Sequence, residues 1–288
     1  MKINNNKLSQ LLVFYTNQLK NIYHKDEIIA IFELVCGHFL GFTKNQIKLK
    51  MNENINQSDL INIYNTCNEL KTGIPVQYVL NEAYFYNLKF YVNKFVLIPR
   101  PETEELVEIV LNYIKNNKIT SVLDIGTGTG CIPISIKKNI GKLNVFGLDI
   151  SEEALEIASL NAKANFTEVI FSKTDILNTN NINNSIFDII ISNPPYILKK
   201  EALKMENHVL NYEPSLALFV EDSNPIIFYK KIIDLCLSSL SDRGVLFFEL
   251  NPLFANDVKD YADNSKLFSL VEIINDMSSK QRFLIAQK

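Results

Sequence analysis

The sequence has no tryptophan, only three arginines and three histidines, and four cysteines in 288 residues. Cys36, Cys67, Cys131 and Cys236 lie far apart without a Cys-x-x-Cys or Cys/His spacing, which argues against a zinc or disulfide framework and fits reduced thiols. His24, His38 and His208 form no ligand cluster, so no metal is expected. With Arg100, Arg243 and Arg282 the only arginines, bidentate recognition of anions is confined to very few positions. The net charge of −3 argues against a strongly basic surface, and direct nucleic-acid binding is not expected, although a local lysine patch stays open. No apolar run reaches spanning length, and Met1 to Gln10 is polar where a secretory signal needs an apolar core; the expectation is a cytoplasmic chain without a membrane partner. At 47% hydrophobic and 21% charged residues the composition is that of a globular protein with room for one large domain and a small one.

What is present centres on residues 187–196. Phe187, Ile189, Ile190 and Ile191 read as a short central strand, halted by Asn193-Pro194-Pro195-Tyr196 because proline cannot donate to a sheet ladder. Each residue before a proline is pushed into extended backbone, so the exit is stiff. It offers a side-chain carbonyl on Asn193, a backbone carbonyl on Pro194 and the ring of Tyr196. Two rigid acceptors suit a planar amide or aromatic amine, whose nitrogen carries two N–H donors. Taken alone, the stretch also reads, as the lesser alternative, as an ordinary strand exit.

Upstream, Leu8 to Leu70 is helical in pattern, with Gly41 as a helix stop and Ser58 as a helix cap. Gly73-Ile74-Pro75 ends that texture, and alternation around Asn87 predicts a hairpin. The boundaries expected are a helical docking domain over 1–73, a hairpin linker over 74–100 and a catalytic domain over 101–288. Pro99-Arg100-Pro101-Glu102-Thr103-Glu104 reads as a stiff charged run and also as a helix N-terminus with proline and acids in its first turn.

Ser121 to Ile125 is a strand running into Gly126-Thr127-Gly128-Thr129-Gly130, then a helix from Cys131; Val145 to Leu148 is the next strand, ending in Asp149. An acid 19 residues beyond Gly130, at the tip of the second strand, is placed for a ribose diol. The spacing is G-x-G-x-G rather than the dinucleotide G-x-G-x-x-G, and Asp124 precedes it. That acid would repel a pyrophosphate and could receive an amino acid's ammonium, which favours S-adenosylmethionine over a dinucleotide and leaves a flavin or nucleotide as the minor alternative. Glu168 to Phe171 reads as a third strand, followed by Asp175 and Ile176, an adenine contact or a plain turn acid. Asn178 to Asn184 reads as a loop, and Leu198 to Asn211 as a lysine-rich helix, either lid or connector. Asp242-Arg243-Gly244 predicts a turn into a strand over 245–250, and 267–274 and 283–286 supply the last two strands.

Residues 98–104, 124–130 and 192–196, together with Tyr212-Glu213-Pro214, closely resemble the release factor glutamine methyltransferases, the PrmC/HemK family, and the likeness covers nearly the whole chain. The resemblance implies an α/β fold of the class I S-adenosylmethionine-dependent methyltransferase type: a Rossmann-like, mostly parallel seven-stranded sheet with a small N-terminal helical domain and a β-hairpin linker. It implies methyl transfer to the side-chain amide nitrogen of the glutamine in the Gly-Gly-Gln motif of class I peptide release factors. Asp124, Gly126, Thr127, Gly128, Thr129, Gly130, Asp149, Asp175, Ile176 and Asn193 would then hold S-adenosylmethionine. Asn193, Pro194, Pro195 and Tyr196 would hold the glutamine, with Asn193, Pro194 and Tyr196 at the chemistry. Asn251 stands where the family usually has a glycine, and 276–282 lacks the usual glycine and second acid. Alternatives are a ribosomal-protein glutamine, an exocyclic amine of a nucleic-acid base, which would need base extrusion and a cationic channel, and a binding protein that keeps the fold as a scaffold.

Overall fold

The computed structural model describes residues 6–182 and 185–288. Met1 to Asn5, and the part of the expected 178–184 loop at Asn183 and Asn184, lie outside the described residues. The chain divides into two compact units, one of residues up to Glu82 together with Glu206–Tyr212, the other of Ala83–Met205 and Glu213–Lys288.

The first unit is helical: α1 (Leu8–Leu19), α2 (Lys25–Leu40), α3 (Lys44–Leu49), α4 (Gln57–Leu70) and α5 (Val76–Leu80). Their apolar stripes meet in one core around Leu11, Tyr15, Phe32, Val35 and Ile63. The phenol of Tyr15, fully buried there, donates to the Ile63 carbonyl at 2.7 Å, which removes the cost of an unpartnered hydroxyl. Gly41 ends α2 with φ of 67°, a left-handed cap that glycine adopts without strain. α4 is capped by Asn56, whose side chain accepts from the Asp59 N–H, and not by Ser58. Asn56 competes successfully because its carbonyl reaches the open N–H of Asp59, which places the cap two residues earlier than Ser58.

The second unit opens with a hairpin, β1 (Ala83–Phe85) and β2 (Leu88–Phe90). Tyr86 and Asn87 form its turn with φ of 48° and 60°, the two left-handed residues that a tight hairpin demands. Tyr86 tolerates this because its N–H donates to Glu104 and its hydroxyl to Glu108, two acids one turn apart on α6 (Pro101–Asn116). The rest follows as β3 (Ser121–Ile125), α7 (Cys131–Asn139), β4 (Asn144–Asp149), α8 (Glu152–Ala164), β5 (Ile170–Lys173), β6 (Phe187–Ser192), the short β7 (Ile197–Leu198), α9 (Asn207–Tyr212), α10 (Ser215–Leu218), β8 (Phe219–Val220), α11 (Ile227–Ser239), β9 (Leu240–Glu249), α12 (Ala255–Asn264), β10 (Leu270–Asn275) and β11 (Gln281–Gln287). Of these, α9 belongs to the helical unit, where Tyr212 donates to the Thr72 carbonyl. The stretch read as one lysine-rich helix is thus a 3-10 turn followed by α9.

Seven strands form one sheet in the order β10, β11, β9, β6, β3, β4, β5, with β11 antiparallel to both neighbours and the pairs among β9, β6, β3, β4 and β5 parallel. Alternation sorts the side chains: Val122, Ile189, Ile191, Val245 and Phe247 face α6 and α7, while Leu123, Ile190, Leu246 and Phe248 face α11 and α12. The predicted turn at residues 242–244 is absorbed into β9, where the register jumps between the Phe187–Leu240 and Ile189–Val245 pairs. The extra residues bulge out because the apolar residues on either side both pair with β6. β5 begins two residues later than expected and β10 three.

Gly147, in β4, leaves room for the neighbours of the glycine loop: an added Cβ would sit 2.7 Å from Phe171 Cδ1 and 2.9 Å from Thr127 Oγ1. Gly147→Ala is therefore expected to cost about 1–3 kcal/mol, read as a lower urea midpoint. Gly141→Ala, where a Cβ meets nothing within 4 Å, serves as the neutral control.

Candidate active site

Parallel strands β3, β4 and β6 end side by side at the point where the chain order reverses, and a crevice opens outside such ends. Here it is a cavity of ≈ 360 Å³. Gly126, Gly128, Asp149, Asp175, Ile176, Asn193, Pro194 and Pro195 line it, so residues named from three separate motifs share one wall. Asp124, Thr127, Thr129, Gly130 and Tyr196 are not among the lining residues.

The difference lies in how the loop turns. Gly126, Gly128 and Gly130 have φ of 78°, 52° and 77°, a left-handed backbone at every second position. This sends the side chains of Thr127 and Thr129 into the core, where they are nearly fully buried, and presents bare backbone to the cavity. A Cβ on Gly126 or Gly128 would meet nothing within 4 Å, so the space against the loop is open to a ligand. The loop is held from behind: the N–H groups of Gly126 and Thr127 donate to the Leu148 carbonyl at 2.8 and 2.9 Å, and Gly128 N–H donates to Asp149 Oδ2 at 2.8 Å. Asp149 Oδ1 accepts from Ser151 N–H at 3.0 Å. Burial raises the Asp149 pKa above the ordinary value, and these amide hydrogen bonds oppose the rise.

Asp124 is fully buried, and neither of its oxygens has a hydrogen-bond partner. The Thr127 hydroxyl beside it lowers its pKa without reaching hydrogen-bond geometry. Burial dominates and pushes the acid up to about 7. An unpartnered buried acid two residues before an open glycine loop ionises at a cost unless a cation arrives. The amino-acid end of S-adenosylmethionine carries one, so the donor set fits that molecule. Asp175 serves its turn, accepting from Leu177 N–H and the Asn178 amide, and still lines the cavity beside Ile176.

Where β6 ends, the Ser192 hydroxyl donates to the Ile125 carbonyl at 2.7 Å and ties the end of β6 to that of β3. Asn193 donates its Nδ2–H to Thr103 Oγ1 at 3.2 Å, and the Thr103 hydroxyl donates to Glu249 Oε2 at 2.7 Å. Tyr196 turns its hydroxyl to Glu249 Oε1 at 3.1 Å. Burial raises the pKa of Tyr196, with Glu249 adding to it.

Several lining residues escaped the sequence reading: Lys94 to Leu97, Leu216, Ala217, and Phe228 and Ile232 of α11. Their signal was weak because apolar residues in loops and on a helix face read as packing. Arg100 finds its partner in Glu213: Nη2 lies 2.6 Å from Oε1, and the Ile98 N–H donates to Oε2. The Glu213 side chain is 1% exposed and that of Arg100 34%. Breaking a buried pair costs about 3–5 kcal/mol, and partial exposure of Arg100 sets this pair at the lower end. The ion pair joins the segment holding Leu97 to the one holding Pro214, both on the cavity wall. Asn161 makes a second join, accepting from Tyr91 N–H and donating to the Tyr91 and Thr129 carbonyls. Among the described residues no three His, Cys, Asp or Glu side chains gather as metal ligands, and no helix is long and apolar enough to cross a membrane.

Comparison with known proteins bears on this geometry. The family model described as Methyltransferase small domain matches residues 104–211. The release factor glutamine methyltransferase of Flavobacterium psychrophilum is 41% identical over 242 residues, 82% of this chain and 84% of that one. The protein of the same name from Bacteroides thetaiotaomicron is 35% identical over 98% of this chain and all of that one. Among solved structures, the hMettl16 catalytic domain in complex with MAT2A 3′UTR hairpin 6 superposes with a TM-score of 0.53 at 15% identity, over 80% of this chain and 81% of that one, a likeness of fold. The fold is that of the class I methyltransferases, and by its identity to full-length relatives the chain belongs to the release factor glutamine methyltransferase family.

Proposed function

We propose that this enzyme transfers the methyl group of S-adenosylmethionine to the side-chain amide nitrogen of the glutamine in the Gly-Gly-Gln motif of class I peptide release factors. The observation that carries the reading is the shared wall: Asn193 and Pro194 line the same cavity as Gly126, Gly128 and Asp149. S-adenosylmethionine supplies an electrophilic methyl carbon on a cationic sulfur. The glycine loop, Asp149 and Ile176 would hold its nucleoside side, with Asp124, buried behind the loop, as the counter-charge to its ammonium end. Asn193 and Pro194 accept the two protons of the glutamine amide and orient its nitrogen for in-line attack. The donor's methyl group would pass to that nitrogen as its bond to sulfur breaks, the electron pair staying on sulfur. Positive charge develops on nitrogen, where the two fixed carbonyl dipoles stabilise it, and a proton then leaves the nitrogen to solvent. Tyr196 and Pro195 hold the acceptors in place.

Removing the Asn193 carbonyl tests the chemistry. Asn193→Ala is expected to lower kcat by about 10²–10³-fold on purified release factor with labelled S-adenosylmethionine, while calorimetric affinity for the methyl donor stays within about threefold. Mass mapping of the wild-type product is expected to put the label on the Gly-Gly-Gln glutamine; a label elsewhere, or a fully active variant, overturns the assignment.

Asp124 gives a pH signature. The folded chain keeps this proton up to about pH 7, whereas an unfolded chain releases it near 3.8. The stability held by the neutral acid is full at low pH and drains as pH rises through that range. Asp124→Asn never ionises, so without ligand its urea midpoint is expected to exceed that of the wild type by a margin that grows from about pH 4 to about pH 8. Saturating S-adenosylmethionine is expected to reverse the order, because only the carboxylate can pair with the ammonium. A margin independent of pH would remove Asp124 from this role.

A further inference from the structure

A carboxamide has nearly the same shape with its oxygen and nitrogen exchanged, so which end Asn193 shows the cavity is decided by its partners. Turned one way it accepts protons from an incoming amide; turned the other it presents two more donors and repels them. The strand exit and its two prolines fix the backbone but leave this choice open.

The choice is made one and two shells back. Thr103 has a single hydroxyl proton, and it goes to Glu249 Oε2 at 2.7 Å. The other oxygen of Glu249 accepts the Tyr196 hydroxyl at 3.1 Å. With its proton committed, Thr103 Oγ1 can only accept, and it accepts from Asn193 Nδ2 at 3.2 Å. The hydrogen bonds thus run in one direction, Asn193 to Thr103 to Glu249, and the Asn193 oxygen is left over for the cavity that the residue lines.

We infer that Glu249 and Thr103 are positioning residues that hold the Asn193 amide with its oxygen toward the substrate, and that the direction of this relay depends on Glu249 being a carboxylate. The inference rests on the proposed function for what the oxygen binds. A protonated Glu249 has a proton of its own to give to Thr103, whose hydroxyl then turns to donate to Asn193 and favours the exchanged amide.

The surroundings of Glu249 make that titration relevant. It is 1% exposed, and burial raises its pKa. The Thr103 and Tyr196 hydroxyls and the Arg282 guanidinium from β11 oppose the rise, and Glu102 on α6 adds to it. The Tyr229 hydroxyl on α11 is taken by the Glu249 backbone carbonyl, and the Cys131 thiol of α7 is kept neutral by burial. Of these neighbours, Arg282 is the cation that supports the ionised form. Asp276 accepts from its Nε, which holds the guanidinium in place.

The test uses the full-length enzyme with wild type, Thr103→Val, Thr103→Ser and Glu249→Gln. Thr103→Val keeps the shape and removes the hydroxyl; it is expected to lower kcat on release factor by roughly tenfold to a hundredfold, with KM for S-adenosylmethionine unchanged and the thermal midpoint lowered, because the buried Glu249 loses one of its donors. Thr103→Ser is expected to restore most of the rate, and Glu249→Gln to abolish the acidic limb of the kcat profile. Independently of any methyl transfer, selectively ¹⁵N-asparagine-labelled protein reports the Asn193 side-chain resonance, assigned by its loss in Asn193→Asp. That resonance is expected to shift as pH is lowered in wild type and to stay fixed in Glu249→Gln. If Thr103→Val turns over like wild type, or the resonance ignores Glu249, the relay is overturned. If the resonance follows Glu249 while wild type transfers no methyl to release factor, the relay stands and the substrate assignment falls.

Discussion

Where β6, β3 and β4 stop side by side, their last backbone groups leave the ladder and must find other partners, and the whole site is built from the partners they find. Leu148 O takes two N–H groups of the glycine loop, Ile125 O takes the Ser192 hydroxyl, and Asp149 takes Gly128 N–H. Each bond crosses from one strand end to the next. The glycine loop, the acid at the tip of β4 and the Asn-Pro-Pro exit therefore stand in fixed register. A buried backbone group left unpaired costs as much as a lost hydrogen bond, so the register is enforced by the same accounting that builds the sheet. Positioning to a fraction of an ångström is what transfer between two bound molecules requires, and strand ends supply it better than a free loop.

The cavity's far side depends on segments remote in sequence. Arg100 reaches Glu213 across 113 residues of chain, and Asn161 holds the carbonyls of Tyr91 and Thr129 together. The scarcity of arginine acquires a meaning here. Arg100 and Arg282 stand beside the buried Glu213 and Glu249, with Arg282 also bound to Asp276. Burying a carboxylate without a counter-charge is expensive, and these two arginines offset that expense where structure needs it.

Much of this was legible in the chain. Helix stripes, the hairpin at Asn87, the glycine loop and the strand ending at Asn193 all follow from local rules that the fold does not override. What was not legible arises from competition or from distance. Asn56 and Ser58 are both good caps, and only the finished helix shows which reaches the open amides. Residues 242–244 carry a turn signature, yet pairing with β6 on both sides draws them into β9 as a bulge. Thr127 and Thr129 sit inside the binding motif by sequence, but alternating left-handed glycines face them into the core. Asn251, and Asp276 within the stretch 276–282 that lacks the usual glycine and second acid, are used structurally: Asn251 donates to the Tyr196 carbonyl and accepts from Leu253 N–H, and Asp276 accepts from Lys280 N–H and Arg282. No spacing rule connects Thr103 to Glu249, because 146 residues separate them.

Three buried acids show how environment divides labour among identical groups. Glu213 is neutralised by an arginine, Glu249 is satisfied by two hydroxyls, and Asp124 has nothing. The first two are complete within the folded chain, so their energy is accounted for without a ligand. Burial raises the pKa of both Glu249 and Asp124, but at Glu249 two hydroxyls and Arg282 oppose the rise, whereas neither oxygen of Asp124 has a hydrogen-bond partner. A fold that supplies partners to two buried carboxylates and withholds one from the third, directly behind a loop of bare backbone, is asymmetric in a way that packing alone does not require. Under the proposed function, the partner of ionised Asp124 is the ammonium of S-adenosylmethionine.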